Sequence, residues 1–160
     1  MHLDGITAVV LHPHPSMGGD SAHPFVVEVA RRLAACGAVV ATPDLRDADV
    51  AVSAAAIGDA LVLIGYSWGS VVVSHAASND VVARVLVAPP ASMALGPDVA
   101  ATPALLLVPE HDQYGDLDAL HAAFDGSSNV TVEIVPGADH FLWGSIDAIA
   151  TRILDWLSQL

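Results

Sequence analysis

Short runs of β-branched residues and leucine alternate along this chain with longer alanine-rich stretches in which apolar residues recur at helical spacing. Such alternation is typical of parallel strands joined by crossover helices. All but the last run are almost wholly apolar, which predicts strands covered on both faces of a central sheet. Six strands are predicted, at Ile6–Leu11, Ala38–Thr42, Leu61–Tyr66, Arg84–Ala88, Ala104–Pro109 and Val130–Val135.

The amphipathic stretches predict five helices, and Gly37 and Gly126 are suited to end two of them. We expect a single three-layer α/β domain over residues 1–160, with a doubly wound parallel sheet of strand order 2-1-3-4-5-6 and helices on both faces. Proline and glycine cluster after the strands, at the edge of such a sheet where ligands bind. The predicted helices are Pro24–Cys36, Asp47–Ile57, Trp68–Asn79, Gly115–Phe124 and Ser145–Ser158.

Composition and charge narrow the class of protein. The 160 residues are 54% hydrophobic and 14% charged, as expected for one folded domain and not for a disordered chain. Five basic residues stand against 18 acidic ones, and the net charge of -13 disfavours nucleic acid and anionic membranes as partners. The single cysteine, Cys36, cannot form an internal disulfide, which fits a reducing cytoplasm.

Two further features bear on location and partners. The first residues lack the basic and apolar regions of a secretion signal, and the apolar run over residues 60–77 is interrupted by glycine, serine and histidine, so we interpret it as strand, turn and helix. We therefore expect a cytoplasmic protein. The mean hydropathy of +0.57 is compatible with an exposed opening that binds apolar ligands, with a homodimer interface, or with a simple compositional bias toward alanine and valine.

The segment Gly65-Tyr66-Ser67-Trp68-Gly69 has the G-x-S-x-G pattern, and it lies between a predicted strand and a predicted helix. In that context the small residues permit a sharp turn that presents Ser67 as a nucleophile. Trp68 opens the helix, so its backbone N–H is expected to contribute to an oxyanion hole. The alternative is an ordinary glycine-bracketed turn between strand and helix.

A serine nucleophile needs a base, and the chain has eight histidines. His75 and His121 fall inside predicted helices, and His75 lies ~12 Å along its helix from Ser67. His140 follows the last predicted strand, where a loop side chain can reach the turn, so we predict that His140 is the base. The alternative is a solvated loop histidine.

Three acidic residues in the loop after the fifth strand compete to orient His140. Asp112 lies in the middle of this loop, Glu110 adjoins the strand end, and Asp116 is better explained as a helix cap. Asp139 is disfavoured because a sequence neighbour cannot easily reach the inner ring nitrogen of the base. We favour Asp112.

The loop after the first strand is expected beside Ser67, at the point where the strand order reverses, and it should supply a second oxyanion donor. Here the chain resembles small α/β-hydrolases of the dienelactone-hydrolase-like group, whose first loop reads HPHP followed by a glycine pair. The order serine, acid, histidine is also that of α/β-hydrolases. The resemblance spans nearly the whole chain, through HPHPSMGG at 12–19, PDLR at 43–46, GYSWG at 65–69, PEHD at 109–112 and GADHF at 137–141.

The resemblance implies a carboxylesterase-like serine hydrolase that cleaves esters or related acyl bonds without a cofactor. It also implies that the N–H of His14 pairs with that of Trp68, since Pro13 and Pro15 have no N–H to donate. The chain departs from fuller relatives in having no room for a cap domain, so the site should be shallow and open. Candidate walls for an apolar substrate group are Met17, Tyr66, Trp68, Met93, Phe141 and Trp143.

Two other interpretations stay open. His12, His14, Asp20 and His23 contain metal-ligand residue types, but the six-residue step from His14 to Asp20 and the flanking prolines argue against a metal site, so we predict none. Asp20 to His23 more plausibly begins a helix, and His12 more plausibly bonds to backbone. The second interpretation is a non-catalytic binding protein on the same scaffold.

Overall fold

The computed structural model describes residues 1–76 and 80–160. Its six strands are β1 (Thr7–Leu11), β2 (Val39–Ala41), β3 (Val62–Tyr66), β4 (Ala83–Val87), β5 (Ala104–His111) and β6 (Val130–Asp139). Its α-helices are α1 (Pro24–Ala35), α2 (Val50–Ala55), α3 (Trp68–His75), α4 (Leu117–Phe124) and α5 (Ile146–Gln159). Two short 3₁₀ helices lie at Pro15–Met17 and Pro97–Ala101.

All strand pairs are parallel, and the order along the sheet is β2-β1-β3-β4-β5-β6, which confirms the predicted topology. The chain reverses direction across the sheet between β1 and β3. The carboxyl ends of these two strands therefore adjoin, which brings the first loop and the turn after β3 to one place.

Successive residues of each strand face opposite layers, as the apolar runs require. Ala8 and Val10 of β1 pack in the layer that holds α1 and α5. Val9 and Leu11 pack in the opposite layer, against α3, and α2 and α4 adjoin that same layer. The sheet is thus covered on both faces, as predicted.

The ends of several elements differ from the predictions. Helix α2 is shorter than predicted because the Asp49 carboxylate accepts a hydrogen bond from Val52 N and so begins the helix at Val50. Helix α3 ends at His75 in the described chain, and the last three residues of the predicted helix, 77–79, lie outside the described residues.

Strand β5 extends past its predicted end at Pro109, to His111, and strand β6 extends past its predicted end at Val135, to Asp139. Their pairing continues past an irregularity between Pro109 and His111, and His111 pairs with Asp139. The Glu110 side chain accepts a hydrogen bond from Gly137 N at 2.7 Å, which ties the two extensions together. Pro136 is tolerated because β6 is an edge strand. This extended pair ends one residue before Asp112 and one residue before His140.

Candidate active site

Ser67 occupies a sharp turn between β3 and α3. Its backbone has φ 53° and ψ -120°, a conformation that is uncommon for a residue with a side chain. A Cβ atom at Gly65 would lie 2.1 Å from Gly69 O, and one at Gly69 would lie 2.5 Å from His12 O. Both glycines are therefore required for the turn, for the steric reason that the motif predicted.

The structure brings Ser67, His140 and Asp112 into one hydrogen-bonded chain. Ser67 Oγ lies 2.9 Å from His140 Nε2, and His140 Nδ1 lies 2.8 Å and 3.0 Å from the two carboxylate oxygens of Asp112. Because a carboxylate only accepts, Nδ1 carries the ring proton and Nε2 presents its lone pair to the serine hydroxyl. This arrangement can withdraw a proton from Ser67.

Asp112 is fixed by backbone donors as well as by His140. Its side chain is almost fully buried, and Oδ1 accepts hydrogen bonds from Tyr114 N at 2.8 Å and Gly115 N at 3.0 Å. The absence of a side chain at Gly115 leaves room for the carboxylate, since a Cβ atom there would lie 3.2 Å from Asp112 Cγ. The carboxylate is therefore held in one orientation toward the imidazole.

The competing acids bond elsewhere. Asp116 accepts a hydrogen bond from Ala119 N and caps α4, as its position in the sequence predicts. Asp139 accepts from Phe141 N at 3.0 Å, and Glu110 bonds Gly137 N. Among these four carboxylates, only Asp112 forms a hydrogen bond with the His140 ring.

The two predicted oxyanion donors lie at this site. Trp68 is the first residue of α3, so its N–H has no partner within the helix. His14 precedes the 3₁₀ helix and lines the same cavity as Ser67. Neither of these N–H groups donates to an acceptor in the described parts of the chain. Both are available to bind a negatively charged oxygen.

A cavity of about 260 Å³ opens at Ser67, and its lining only partly matches the prediction. The predicted walls Met17, Tyr66, Trp68, Met93 and Phe141 line it. The structure places Trp143 outside this lining, with its side chain 82% exposed. The remaining lining residues were not singled out as walls from the sequence and are Pro13, His14, His23, Pro90, Tyr114 and His140.

Tyr114 is the most informative of the residues that sequence reasoning missed. Its ring packs edge-on against the His140 ring, with centroids 4.7 Å apart. It follows Asp112 by two residues, and the hydrogen bond from its N–H to Asp112 forms the turn that brings the ring back over the site. The Asp-x-Tyr-Gly segment is the signal from which this turn could have been predicted.

The four residues of the alternative metal site are engaged separately. His12 Nε2 accepts a hydrogen bond from Leu45 N, and His12 Nδ1 donates to Pro13 O, so neither ring nitrogen has a free lone pair. His23 Nδ1 accepts from Phe25 N at the start of α1, and burial lowers the pKa of His23, partly opposed by Asp20. Within residues 1–76 and 80–160, no group of three or more metal-ligating side chains is suitably arranged.

Tyr66 holds the segment that carries His140. Its buried hydroxyl donates a hydrogen bond of 2.6 Å to His140 O. Burial, reinforced by Asp112 and Asp139, raises the pKa of Tyr66 well above its ordinary value, so the hydroxyl stays protonated and remains a donor. Tyr66 therefore acts on the site through the backbone of His140.

Replacing Tyr66 by phenylalanine is expected to lower the free energy of unfolding by about 1 to 3 kcal/mol, because His140 O loses a buried partner. Urea unfolding measures this loss. The matched control is Tyr114→Phe, since the Tyr114 hydroxyl bonds no described residue and the ring is half exposed. Equal losses in the two variants would contradict a stabilising hydrogen bond from Tyr66 to His140 O.

The search of solved structures found similar folds. A serine hydrolase without a lid from Xanthomonas campestris is 20% identical, has a TM-score of 0.77, and is matched over 98% of this chain and 83% of its own. A serine hydrolase homologue from Coxiella burnetii is 21% identical, with a TM-score of 0.76 and coverage of 95% and 85%. The esterase domain of a Rhodothermus marinus protein is 16% identical, with a TM-score of 0.70 and coverage of 96% and 87%.

No protein-family model and no curated protein matches the sequence. Among the described residues, no helix is long and apolar enough to cross a membrane. The strand order, the turn at Ser67 and the structural neighbours lead to the same assignment. The chain has the fold of the α/β-hydrolase superfamily.

Proposed function

We propose that this protein is a serine hydrolase that cleaves carboxylic esters or related acyl bonds of small molecules. The observation that carries this proposal is the hydrogen-bonded chain from Ser67 through His140 to Asp112. It lies in an open, largely apolar cavity next to two unpaired backbone N–H groups. The esterase and serine hydrolases among the structural neighbours support the same class of reaction.

The proposed reaction has two halves. His140 Nε2 takes the proton of Ser67 as Oγ attacks the acyl carbon, and the N–H groups of His14 and Trp68 stabilise the oxyanion. The protonated His140 then gives this proton to the leaving alcohol, and an acyl-enzyme remains. Water attacks the acyl-enzyme with His140 again as base, which releases the acid and restores the serine. Asp112 keeps Nδ1 protonated throughout.

A fluorophosphonate probe tests the proposal directly, because it forms a covalent bond only with an activated serine. We expect one adduct, on Ser67, located by mass spectrometry of the digested protein. We also expect turnover of p-nitrophenyl acetate that is unchanged by a chelator, since the proposed reaction uses no cofactor.

The other outcomes point to the two alternative functions. No adduct together with no turnover would favour a binding protein that keeps the scaffold without the reaction. Turnover that is lost on adding chelator would instead favour a metal site at His12, His14, Asp20 and His23. Either result would contradict the proposal that this protein is a serine hydrolase.

A further inference from the structure

A second and larger cavity adjoins the one at Ser67. It has a volume of about 500 Å³ and lies between the segment after β4 and helix α4. Pro90 and Met93 line both cavities, so these two residues form a shared boundary between them. We call the second cavity the distal groove; its apolar lining includes Met93, Leu95, Ala119, Leu120, Ala123 and Phe124.

We propose that the distal groove binds the acyl chain of the substrate. The preferred substrates are then esters whose acyl chain is of medium or greater length and ends in an uncharged group. This inference rests on the proposed serine hydrolase function. Small-molecule sites commonly have volumes of about 300–1,000 Å³. The cavity of about 260 Å³ at Ser67 falls below that range, whereas the distal groove of about 500 Å³ lies within it.

The direction of the acyl chain follows from the positions of the reacting groups. The leaving alcohol must lie near His140, which donates a proton to it, and the rings of Tyr114 and Phe141 pack against that histidine. The oxyanion must lie near His14 and Trp68, whose N–H groups bind it. Of the remaining lining, Pro90 and Met93 also border the distal groove, so the acyl chain is directed to their side.

The Met93 side chain is suited to its place between the two cavities, where the acyl chain must pass. Its unbranched side chain is flexible and partly exposed, so it can move aside at low cost and pack along methylene groups. The backbone beside it is fixed, because Ala91 N donates a 2.7 Å hydrogen bond to Tyr114 O. The boundary between the two cavities therefore combines a fixed backbone with a side chain that can adapt to the acyl chain.

Charge excludes one class of acyl group. Asp116 and Asp125 lie on the lining of the distal groove, and the protein as a whole carries a net charge of -13. A chain that ends in a carboxylate would meet negative charge there with no basic residue in the lining to offset it. The groove is therefore suited to a chain with an uncharged end.

Two adjacent alanines of α4 provide a matched test. Ala123 lines the distal groove and Ala122 does not, although both are exposed and neither packs in the core. The measurement is kcat/KM for p-nitrophenyl acetate, p-nitrophenyl octanoate and octyl acetate, made on the wild type and on Ala123→Trp and Ala122→Trp. Thermal melting confirms folding, and Ala119→Trp is a second groove variant if Ala123→Trp does not fold.

We expect the wild type to prefer octanoate to acetate, and Ala123→Trp to lower kcat/KM for octanoate about tenfold or more, since lost apolar contacts of a few methylene groups have effects of that size. Turnover of all three esters by Ala122→Trp should stay within about twofold of the wild type, so that only Ala123→Trp lowers the ratio of octanoate to acetate turnover. Two results would contradict the assignment of the distal groove to the acyl chain: a wild type that does not prefer octanoate to acetate, or an Ala123→Trp variant that loses turnover of octyl acetate and not of octanoate. Neither result would contradict the proposed serine hydrolase activity. If no ester were turned over and no phosphonate adduct formed, both the acyl-chain groove and the proposed serine hydrolase activity would be contradicted.

Discussion

Replacing Ser67 by alanine is expected to lower kcat/KM for p-nitrophenyl acetate by about 10⁴-fold or more. The variant loses the Oγ that attacks the acyl carbon, and His140 Nε2 loses the atom that it activates at 2.9 Å. The oxyanion donors and the cavity remain, so a small residual rate above that in buffer should persist. The measurement is steady-state hydrolysis, with loss of fluorophosphonate labelling as a second readout.

The fold should survive this substitution. Ser67 Oγ forms a hydrogen bond only with the His140 ring among the described residues, and alanine suits the backbone at this position no worse than serine does. The control is Ser74→Ala, which removes a buried hydroxyl ~10 Å further along the same helix, where Oγ donates to Val71 O and accepts from Gly96 N. Because Gly96 N loses its partner, this variant should be the less stable of the two. Ser74→Ala should keep its activity within a few fold. Wild-type turnover by a folded Ser67→Ala variant would contradict the proposed mechanism.

Replacing Asp112 by asparagine is expected to lower kcat about 10⁴-fold, because it favours the wrong tautomer of His140. Two backbone N–H groups donate to Oδ1, so the amide oxygen of asparagine should take that position. The amide NH₂ then occupies the place of Oδ2, which lies 3.0 Å from His140 Nδ1. It donates to Nδ1, the ring proton moves to Nε2, and the lone pair needed by Ser67 is lost.

Asp116→Asn is the matched control for this change. Asp116 lies four residues along the same segment and caps α4 through Ala119 N, a role that asparagine fills as well as aspartate. The control should retain nearly full kcat and a normal melting temperature. If Asp112→Asn and Asp116→Asn had similar activity, the carboxylate of Asp112 would not be what orients the base.

The sheet could be predicted from the sequence because its four central strands are buried on both faces and so consist almost wholly of apolar residues. The two edge strands are the exceptions: β2 has no buried residue, and exposed and partly buried positions are mixed along β6. Its true end at Asp139 was missed because Pro136 and Gly137 are typical of a loop. An edge strand tolerates them, and whether a strand lies at an edge depends on tertiary packing.

The residues of the site were predictable to the extent that their chemistry depends on local sequence. Ser67 is indicated by glycines two positions to either side, and Asp112 and His140 each lie in the loop that follows a predicted strand. For Trp143, by contrast, the direction of the exposed ring is set by a backbone turn that no short motif in the sequence indicates. Leu142 has a positive φ of 59° and is fully buried, and this turn directs Trp143 to solvent and out of the cavity lining.

The backbone conformation of Ser67 has a consequence for how this chain can evolve. A residue with a side chain at φ 53° and ψ -120° costs on the order of 1–3 kcal/mol, and glycine would relieve most of that strain. Selection for stability alone would thus replace the serine, whereas selection for catalysis retains it. A descendant that kept the fold for binding only would be under no such conflict, and this position is where its sequence would be expected to drift first.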